Sequence, residues 1–151
     1  MHLSDLLNNH LIINSLAAWA AAQILKTIIY AFAHRKLDLE RLFGDGGMPS
    51  GHSATVTALS VTAGIEYGLD SAPFAIAAIL AIVVMHDAMG VRLEAGKHAK
   101  ALNELMDLVS SKDLTPDDKL KELLGHTPLQ VIAGILTGIG NALLMYALFF
   151  S

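Results

Sequence analysis

Four long stretches with almost no charged residues restrict most strongly what this chain can fold into. Residues 11–33 and 53–69 each contain one charged residue, and residues 71–85 and 127–150 contain none. Because a helix rises about 1.5 Å per residue, roughly 20 apolar residues cross the ~30 Å hydrocarbon core of a bilayer. The first and last stretches reach that length and the middle two are near its lower limit, so the sequence predicts about four transmembrane helices.

The alternative is an all-α bundle buried in water. The chain is 54% hydrophobic and 16% charged, whereas about a quarter of the residues in an ordinary soluble domain are charged. Four such stretches in 151 residues leave too little polar surface to cover a soluble core. We therefore expect one all-α domain over residues 1–151, an integral-membrane helical bundle.

Charge and cysteine content exclude several classes of function. The chain has no cysteine, which excludes disulfides, zinc–cysteine sites and thiol nucleophiles. Its formal net charge of −4 is the opposite of the basic excess of a nucleic-acid-binding domain, so we expect no nucleic-acid partner.

The basic residues predict the orientation of the chain in the membrane. Apart from Lys26 they all lie in two segments, 35–41 and 92–121. With four spans these segments fall on one side, which the positive-inside rule makes cytoplasmic, with both termini outside. No basic residue precedes the first apolar stretch, so we interpret that stretch as a retained span and not as a cleaved signal peptide.

The segments between the spans contain further elements. Residues 34–51 are polar and glycine-rich, so the backbone there can approach a ligand closely. Residues 92–111 carry apolar residues at helical spacing, which predicts an amphipathic helix on the cytoplasmic side. Thr115 and Pro116 predict the start of a second, short helix that runs to residue 124 and stops at Gly125.

The last apolar stretch carries signals for its start and for its packing. Thr127 followed by Pro128 is typical of an N-cap and a first helical residue. Gly134 and Gly138 form a Gly-x-x-x-Gly pattern, which lets another helix pack closely. We expect that helix to belong to the same chain, and a homo-oligomer is the alternative.

The strongest candidate for chemistry is the run Met-Pro-Ser-Gly-His-Ser-Ala at residues 48–54, where the glycine-rich loop enters a helix. The amides of a helix N-terminus and the Ser50 hydroxyl can bind an anion, and His52 can donate a proton. The same residues also fit a structural role, in which Ser50 or Ser53 caps the helix and Pro49 shapes the turn.

Cationic residues near the spans are candidates for binding a phosphate. Arginine binds it through a bidentate fork and lysine as a point charge. The alternative is that these long side chains extend to the membrane interface. The candidates are Lys26, Arg41, Arg92 and Lys97.

A second group of polar residues lies at the end of the third apolar stretch and around the start of the last one. Glu122, His126 and Gln130 are spaced by four and could share a helical face if the turn at residues 127–128 does not interrupt it. Asp87 lies at the end of the third span. With His52, His126 makes a pair suited to phosphoryl transfer, in which one histidine attacks phosphorus, the other protonates the leaving oxygen, and water hydrolyses the phosphohistidine.

Four segments resemble one known family. Residues 46–54 (Gly-Gly-Met-Pro-Ser-Gly-His-Ser-Ala) resemble the second motif of the type-2 phosphatidic acid phosphatases, which share a fold with vanadium haloperoxidases. Residues 87–92, 95–97 and 123–128 are similar to the divergent bacterial and plant branch of that superfamily. The resemblance covers nearly the whole chain and implies a multi-pass phosphatase of the bacterial inner membrane that needs no metal or cofactor.

The resemblance also implies roles for individual residues. Lys26 and Arg41 match the phosphate-binding lysine and arginine of the first motif, although the spacing is longer and the proline that follows the arginine is absent. Ser50 and Gly51 match the second motif, in which His52 is the acid that protonates the leaving group.

The third motif matches less completely. His126 fits its nucleophile, but Gln130 stands where the family has an orienting aspartate, and no Ser-Arg precedes the histidine. Arg92 is the candidate for the missing guanidinium, and Asp87 or Glu122 for the missing carboxylate.

These observations predict a phosphatase that acts on a lipid phosphate at the cytoplasmic leaflet, with membrane lipids around it. Phosphatidate, phosphatidylglycerophosphate and polyprenyl phosphates or diphosphates are candidate substrates. The alternatives are a non-catalytic module that binds phosphate or anionic lipid, which the glutamine at position 130 favours, and a vanadate-dependent peroxidase. A metal site is a further alternative, formed by His86, Asp87, Glu94 and His98.

Overall fold

The computed structural model describes residues 3–36, 47–109, 119–120 and 125–150. A short 3-10 helix (Leu3–Asn8) precedes the first α-helix, and a π-helical turn (Tyr146–Phe150) follows the last one. No β-strand occurs in this part of the chain, so the prediction of an all-α fold is confirmed there. The α-helices are α1 (His10–His34), α2 (Gly51–Tyr67), α3 (Ala72–Met89), α4 (Val91–Val109) and α5 (Pro128–Met145).

Four of these helices begin at a polar N-cap whose side chain accepts a hydrogen bond from the first turn. The caps satisfy backbone N–H groups that have no partner within the helix. At α5 the cap is doubled, because Gln130 reaches back to the Thr127 backbone N–H while Thr127 accepts from the Gln130 N–H. The predicted start of the last span at Thr127 and Pro128 is therefore confirmed. The four caps are Asn9, Ser50, Ser71 and Thr127.

Three helical stretches of the described residues are long and apolar enough to span a membrane: His10–His34, Ala72–Val109 and Pro128–Phe149. The second of these combines α3 and α4, which only Gly90 separates. The α2 helix has 17 residues, fewer than the ~20 that usually cross a bilayer. Three of the four predicted spans therefore correspond to helices long and apolar enough to cross a membrane, and the count of four spans stays a prediction.

The interior of the bundle is built from small side chains. Helix α2 lies at its centre, because α1, α3 and α5 all pack against it. Apart from Val56 and Val131, the buried apolar residues of the described chain are all alanine. Large apolar side chains point outward, and Phe32, for example, is 83% exposed. Because lipid is as apolar as leucine, helices in a membrane gain little by burying large apolar side chains and associate through close backbone contact. Small residues inside and large apolar residues outside are therefore the distribution of a membrane protein.

The closest contact is between α2 and α5. A Cβ at Gly134 would lie 2.5 Å from the carbonyl oxygen of Ser50, and a Cβ at Gly138 would lie 2.5 Å from that of Ala54. Any larger residue would push the two helices apart. The predicted close packing at the Gly-x-x-x-Gly pattern is thus confirmed, and its partner is a helix of the same chain.

A buried polar cluster joins α1, α2 and α5 in the middle of the bundle. Asn14 Nδ2 donates to Thr62 Oγ1 at 2.8 Å, and Asn141 Nδ2 donates to Asn14 Oδ1 at 2.6 Å. Asn14 and Thr62 are almost completely buried. Hydrogen bonds between helices fix their register within an apolar bundle.

The segment after α4 departs from the sequence prediction. The helix predicted over 92–111 is present as α4, but the short helix predicted from Thr115 is wrong at Lys119 and Leu120, which are not helical. The buried Asn103 explains this, because its side chain donates to the Leu120 carbonyl at 2.9 Å and accepts from the Leu120 N–H at 2.8 Å. The rest of the predicted helix lies outside the described residues.

Candidate functional site

The two histidines of the predicted pair lie close together. His52 is the second residue of α2, and His126 directly precedes the N-cap of α5. Their ring centroids are 6.3 Å apart, with an angle of 57° between the ring planes. His126 is buried and His52 is exposed. A pair with one buried ring and one accessible ring forms the centre of the site.

The backbone around His126 is fixed against the turn between α3 and α4. The His126 N–H donates to the Ala88 carbonyl at 2.9 Å. Gly125 has a φ of +84°, and a Cβ there would lie 2.3 Å from the backbone nitrogen of Leu93. Only glycine fits both this conformation and this space. The glycine at position 125 therefore lets the backbone bring His126 onto the end of α3.

The side chain of Gln130 determines the tautomer of His126. Gln130 Oε1 accepts the Thr127 backbone N–H at 3.1 Å, which identifies this atom as the oxygen of the amide and not its nitrogen. The same oxygen lies 3.2 Å from His126 Nδ1. Because Oε1 can only accept, Nδ1 carries the proton, and a neutral ring then has its lone pair on Nε2. Gln130 thus does for the ring what an orienting carboxylate does, without the negative charge.

Ser50 connects the second motif to this arrangement. Its backbone N–H donates to the Gln130 carbonyl at 3.0 Å. Its hydroxyl oxygen accepts from the Ser53 N–H at 3.3 Å and from the Ser53 hydroxyl at 3.0 Å. Ser50 therefore caps α2, as the structural interpretation of the motif expects, and also ties the start of α2 to the start of α5.

One face of α1 lies against the loop that precedes α2. Lys26 is 5% exposed, and its Cγ is 3.4 Å from where a Cβ at Gly47 would lie. One turn earlier, Gln23 Oε1 is buried and has no hydrogen-bond partner among the described residues. It lies 3.9 Å from the position of a Cβ at Gly51, and Trp19 Cδ1 is 3.5 Å from the same point. An N-terminal helix end, a buried lysine and an unpartnered amide thus lie together.

Trp19 and Gln23 were not among the residues that the sequence analysis selected. The signal that could have found Gln23 is its position three residues before Lys26 in the same apolar stretch. On a helix, residues three apart lie on the same face. A polar residue beside a buried lysine is therefore a candidate for the same ligand.

The remaining candidates are exposed and paired with each other or with near neighbours. Arg92 Nε donates to Asp87 Oδ2 at 2.9 Å, and Lys97 Nζ donates to Glu94 Oε1 at 2.6 Å. Asp87 is bonded to Arg92, whereas the side-chain partner seen at the His126 ring is Gln130. Arg41 and Glu122 lie outside the described residues.

The alternative metal site is not formed in the part of the chain that the structure describes. No group of three or more His, Asp or Glu side chains there is close enough to hold a metal ion. His86, Asp87, Glu94 and His98 therefore do not make such a group.

Comparison with known proteins agrees with the sequence motifs. No solved structure matches the chain. A curated relative, described as an uncharacterized membrane protein YuiD of Bacillus subtilis (strain 168), is 44% identical over 146 residues, which cover 89% of this chain and 92% of that protein. The sequence profile of the divergent PAP2 family matches residues 7–141. The chain therefore belongs to the divergent PAP2 family.

Proposed function

We propose that this protein is a membrane phosphatase that hydrolyses a lipid phosphate through a phosphohistidine on His126. The observation that carries the proposal is the hydrogen bond between His126 Nδ1 and Gln130 Oε1, 3.2 Å long, beside a second histidine. It leaves Nε2 of the neutral ring as the nucleophilic atom. Anion binding alone needs only cations and amides, so an oriented pair of histidines favours catalysis.

The first step transfers the phosphoryl group to the protein. The lone pair of His126 Nε2 forms a bond to phosphorus while the bond from phosphorus to the ester oxygen breaks. Protonated His52 gives its proton to that oxygen, so the lipid leaves as an alcohol.

The second step releases phosphate. His52, now neutral, accepts a proton from a water molecule as the water oxygen bonds to phosphorus. The bond between phosphorus and Nε2 breaks, and the electron pair returns to His126. The products are inorganic phosphate and a His52 that is again protonated for the next substrate.

Charge on the phosphoryl oxygens needs cationic groups and amides. Ser53 and Ala54 N–H groups are bonded to Ser50, whereas those of Gly51 and His52 make no hydrogen bond within the described residues. Helix N-terminal amides of this kind bind phosphate. We assign Lys26 with them to the phosphate, and keep Arg41, Arg92 and Lys97 as further candidates.

The site lies at one end of the bundle, at the end of α3 and the starts of α2 and α5. The basic segments 35–41 and 92–121 flank this end in the sequence. We propose that it faces the cytoplasm, with α2 as a fourth span, α4 as an amphipathic helix at the interface and both termini outside.

A non-catalytic phosphate- or anionic-lipid-binding module is the second candidate. The observation in its favour is the neutral side chain of Gln130, which stabilises a developing imidazolium less than a carboxylate would. The same amide also closes the capping box of α5. Measuring phosphate release distinguishes the phosphatase from the non-catalytic binding module.

The test is phosphate release by the detergent-purified protein with EDTA present. The substrates are hexadecyl phosphate, phosphatidate, phosphatidylglycerophosphate and a polyprenyl phosphate. We expect release by the wild type and by the control His86→Ala, whose histidine is exposed on α3, and no release by His126→Ala. Release by His126→Ala at the wild-type rate, or none by a folded wild type, would exclude the mechanism.

A further inference from the structure

An apolar groove begins at His52 and runs between α1, α2 and α3. Its volume is about 440 Å³, and its lining is almost entirely apolar. The hydroxyl of Thr55 in its wall already donates to the Gly51 carbonyl at 2.8 Å, so its proton is not available to a ligand. The lining residues are Leu16, Trp19, His52, Thr55, Val56 and Val84.

We propose that this groove holds one hydrocarbon chain of the substrate, next to the phosphate between the two histidines. The inference rests on the proposed function and adds where the lipid part binds. His52 is shared by the groove and by the histidine pair. The chain of a lipid phosphate is attached to its leaving oxygen, and His52 is the residue assigned to protonate that oxygen. The hydrocarbon chain therefore extends from the phosphate toward the end of the groove at His52.

The change from polar to apolar surface along α1 supports this occupant. Lys26 lies against Gly47 in the loop that precedes α2. Gln23 and Trp19 lie against Gly51 at the start of α2, and Trp19 and Leu16 line the groove. A single helical face thus passes from a charged group to an apolar wall. This order matches a phosphate ester followed by its alkyl chain.

The volume limits the occupant to one chain. The groove of about 440 Å³ is ~15 times the ~30 Å³ that a water molecule occupies in the liquid, and a methylene group is of similar size. The groove therefore has the size of one alkyl chain and not of the two chains of a diacyl lipid. The second chain of a diacyl lipid lies outside the groove.

Binding can be tested without turnover because Trp19 is the only tryptophan of the chain. Bromine on an alkyl chain quenches indole fluorescence at contact. We expect saturable quenching of His126→Ala by a brominated hexadecyl phosphate in detergent, competed by unbrominated hexadecyl phosphate but not by hexadecanol. Adding Val84→Phe, which fills the groove, should abolish the saturable part. Adding Val83→Phe, which changes an exposed neighbour on the same helix, should leave it unchanged.

A kinetic test uses butyl, hexyl and octyl phosphates, which stay monomeric in water. Each added methylene should raise kcat/KM by up to about fourfold, because it is buried in an apolar site. In Val84→Phe the octyl ester should lose about tenfold or more, the contribution of roughly two methylenes, and the butyl ester should be unaffected. Leu16→Phe, at an exposed position in the groove wall, repeats the test if Val84→Phe does not fold.

The outcomes separate this inference from the proposed function. Saturable quenching that Val84→Phe removes, with no phosphate released from any ester, would retain the groove and exclude the phosphatase. Phosphate release that is independent of chain length, with equal quenching in the Val84→Phe and Val83→Phe proteins, would retain the phosphatase and exclude the groove.

Discussion

Gln130→Met tests whether the amide oxygen of Gln130 holds His126 in its reactive form. Methionine keeps the length of the side chain and removes the acceptor shared by His126 Nδ1 and the Thr127 N–H. His126 is 5% exposed, and a buried donor without a partner costs about 1–3 kcal/mol. The tautomer with the proton on Nδ1 is then disfavoured by that amount, which corresponds to a fall of about 5- to 150-fold in kcat.

The matched control is Thr127→Val, which removes the other half of the same capping box. Thr127 Oγ1 accepts from the Gln130 N–H at 3.4 Å, whereas Gln130 Oε1 stays bonded to His126. Thr127→Val should lose about 1 kcal/mol of stability, the usual effect of a lost cap. Gln130→Met should lose at least as much, because the buried His126 N–H also loses its acceptor. Thermal unfolding by circular dichroism in detergent measures this loss, and phosphate release measures kcat.

Both variants should therefore be destabilised, but only Gln130→Met should lose activity. Gln130→Glu retains an acceptor for both N–H groups and should keep most of the wild-type kcat. Equal kcat values for Gln130→Met and Thr127→Val would refute the role of Gln130 in orienting the ring.

Three further substitutions test the packing that positions the site. Gly138→Leu should lower the thermal midpoint strongly, because a Cβ there lies 2.5 Å from the Ala54 carbonyl. The control Gly140→Leu, where a Cβ has nothing within 4 Å, should leave the midpoint unchanged. Equal midpoints for the two variants would contradict the α2–α5 contact. Gly125→Ala should abolish phosphate release in a protein that is still helical by circular dichroism, because its Cβ would meet the backbone of Leu93; wild-type release would count against the position given to His126. Asn103→Leu should lower the free energy of unfolding by about 1–3 kcal/mol, because the two hydrogen bonds to Leu120 are lost. It should also speed tryptic cleavage after Lys119. Unchanged cleavage would argue against the role of Asn103 in holding Leu120.

The sequence is most informative where one local signal determines the structure. Apolar stretches of sufficient length predict spans in lipid without knowledge of their neighbours. Thr127 with Pro128 and the glycines at 134 and 138 likewise act within one helix or one contact. The N-cap at Thr127, the α2–α5 contact and three helices long and apolar enough to span a membrane are confirmed, because no distant residue competes with these signals.

Predictions that depend on distant partners could not be made from the sequence in the same way. Lys119 and Leu120 depart from the expected helix because Asn103, which is 17 residues from Leu120 in the chain, bonds both backbone groups of Leu120. The importance of Trp19 becomes visible only when α1 is placed beside Gly51. Local pattern gives the elements, whereas these contacts depend on how the elements pack.

The close packing of α5 on α2 and the geometry of the histidine pair have the same physical origin. Gly134 lies one turn after Gln130 on α5, and its missing side chain lets the helix approach the Ser50 carbonyl. That approach brings the Gln130 carbonyl within 3.0 Å of the Ser50 N–H. Since His52 follows Ser50 by two residues and His126 is held by the Gln130 side chain, this contact contributes to the distance between the rings, together with the bond from the His126 N–H to Ala88. A larger residue at 134 would separate the histidines before it unfolded the bundle, so we expect kcat to be more sensitive than stability to substitution there.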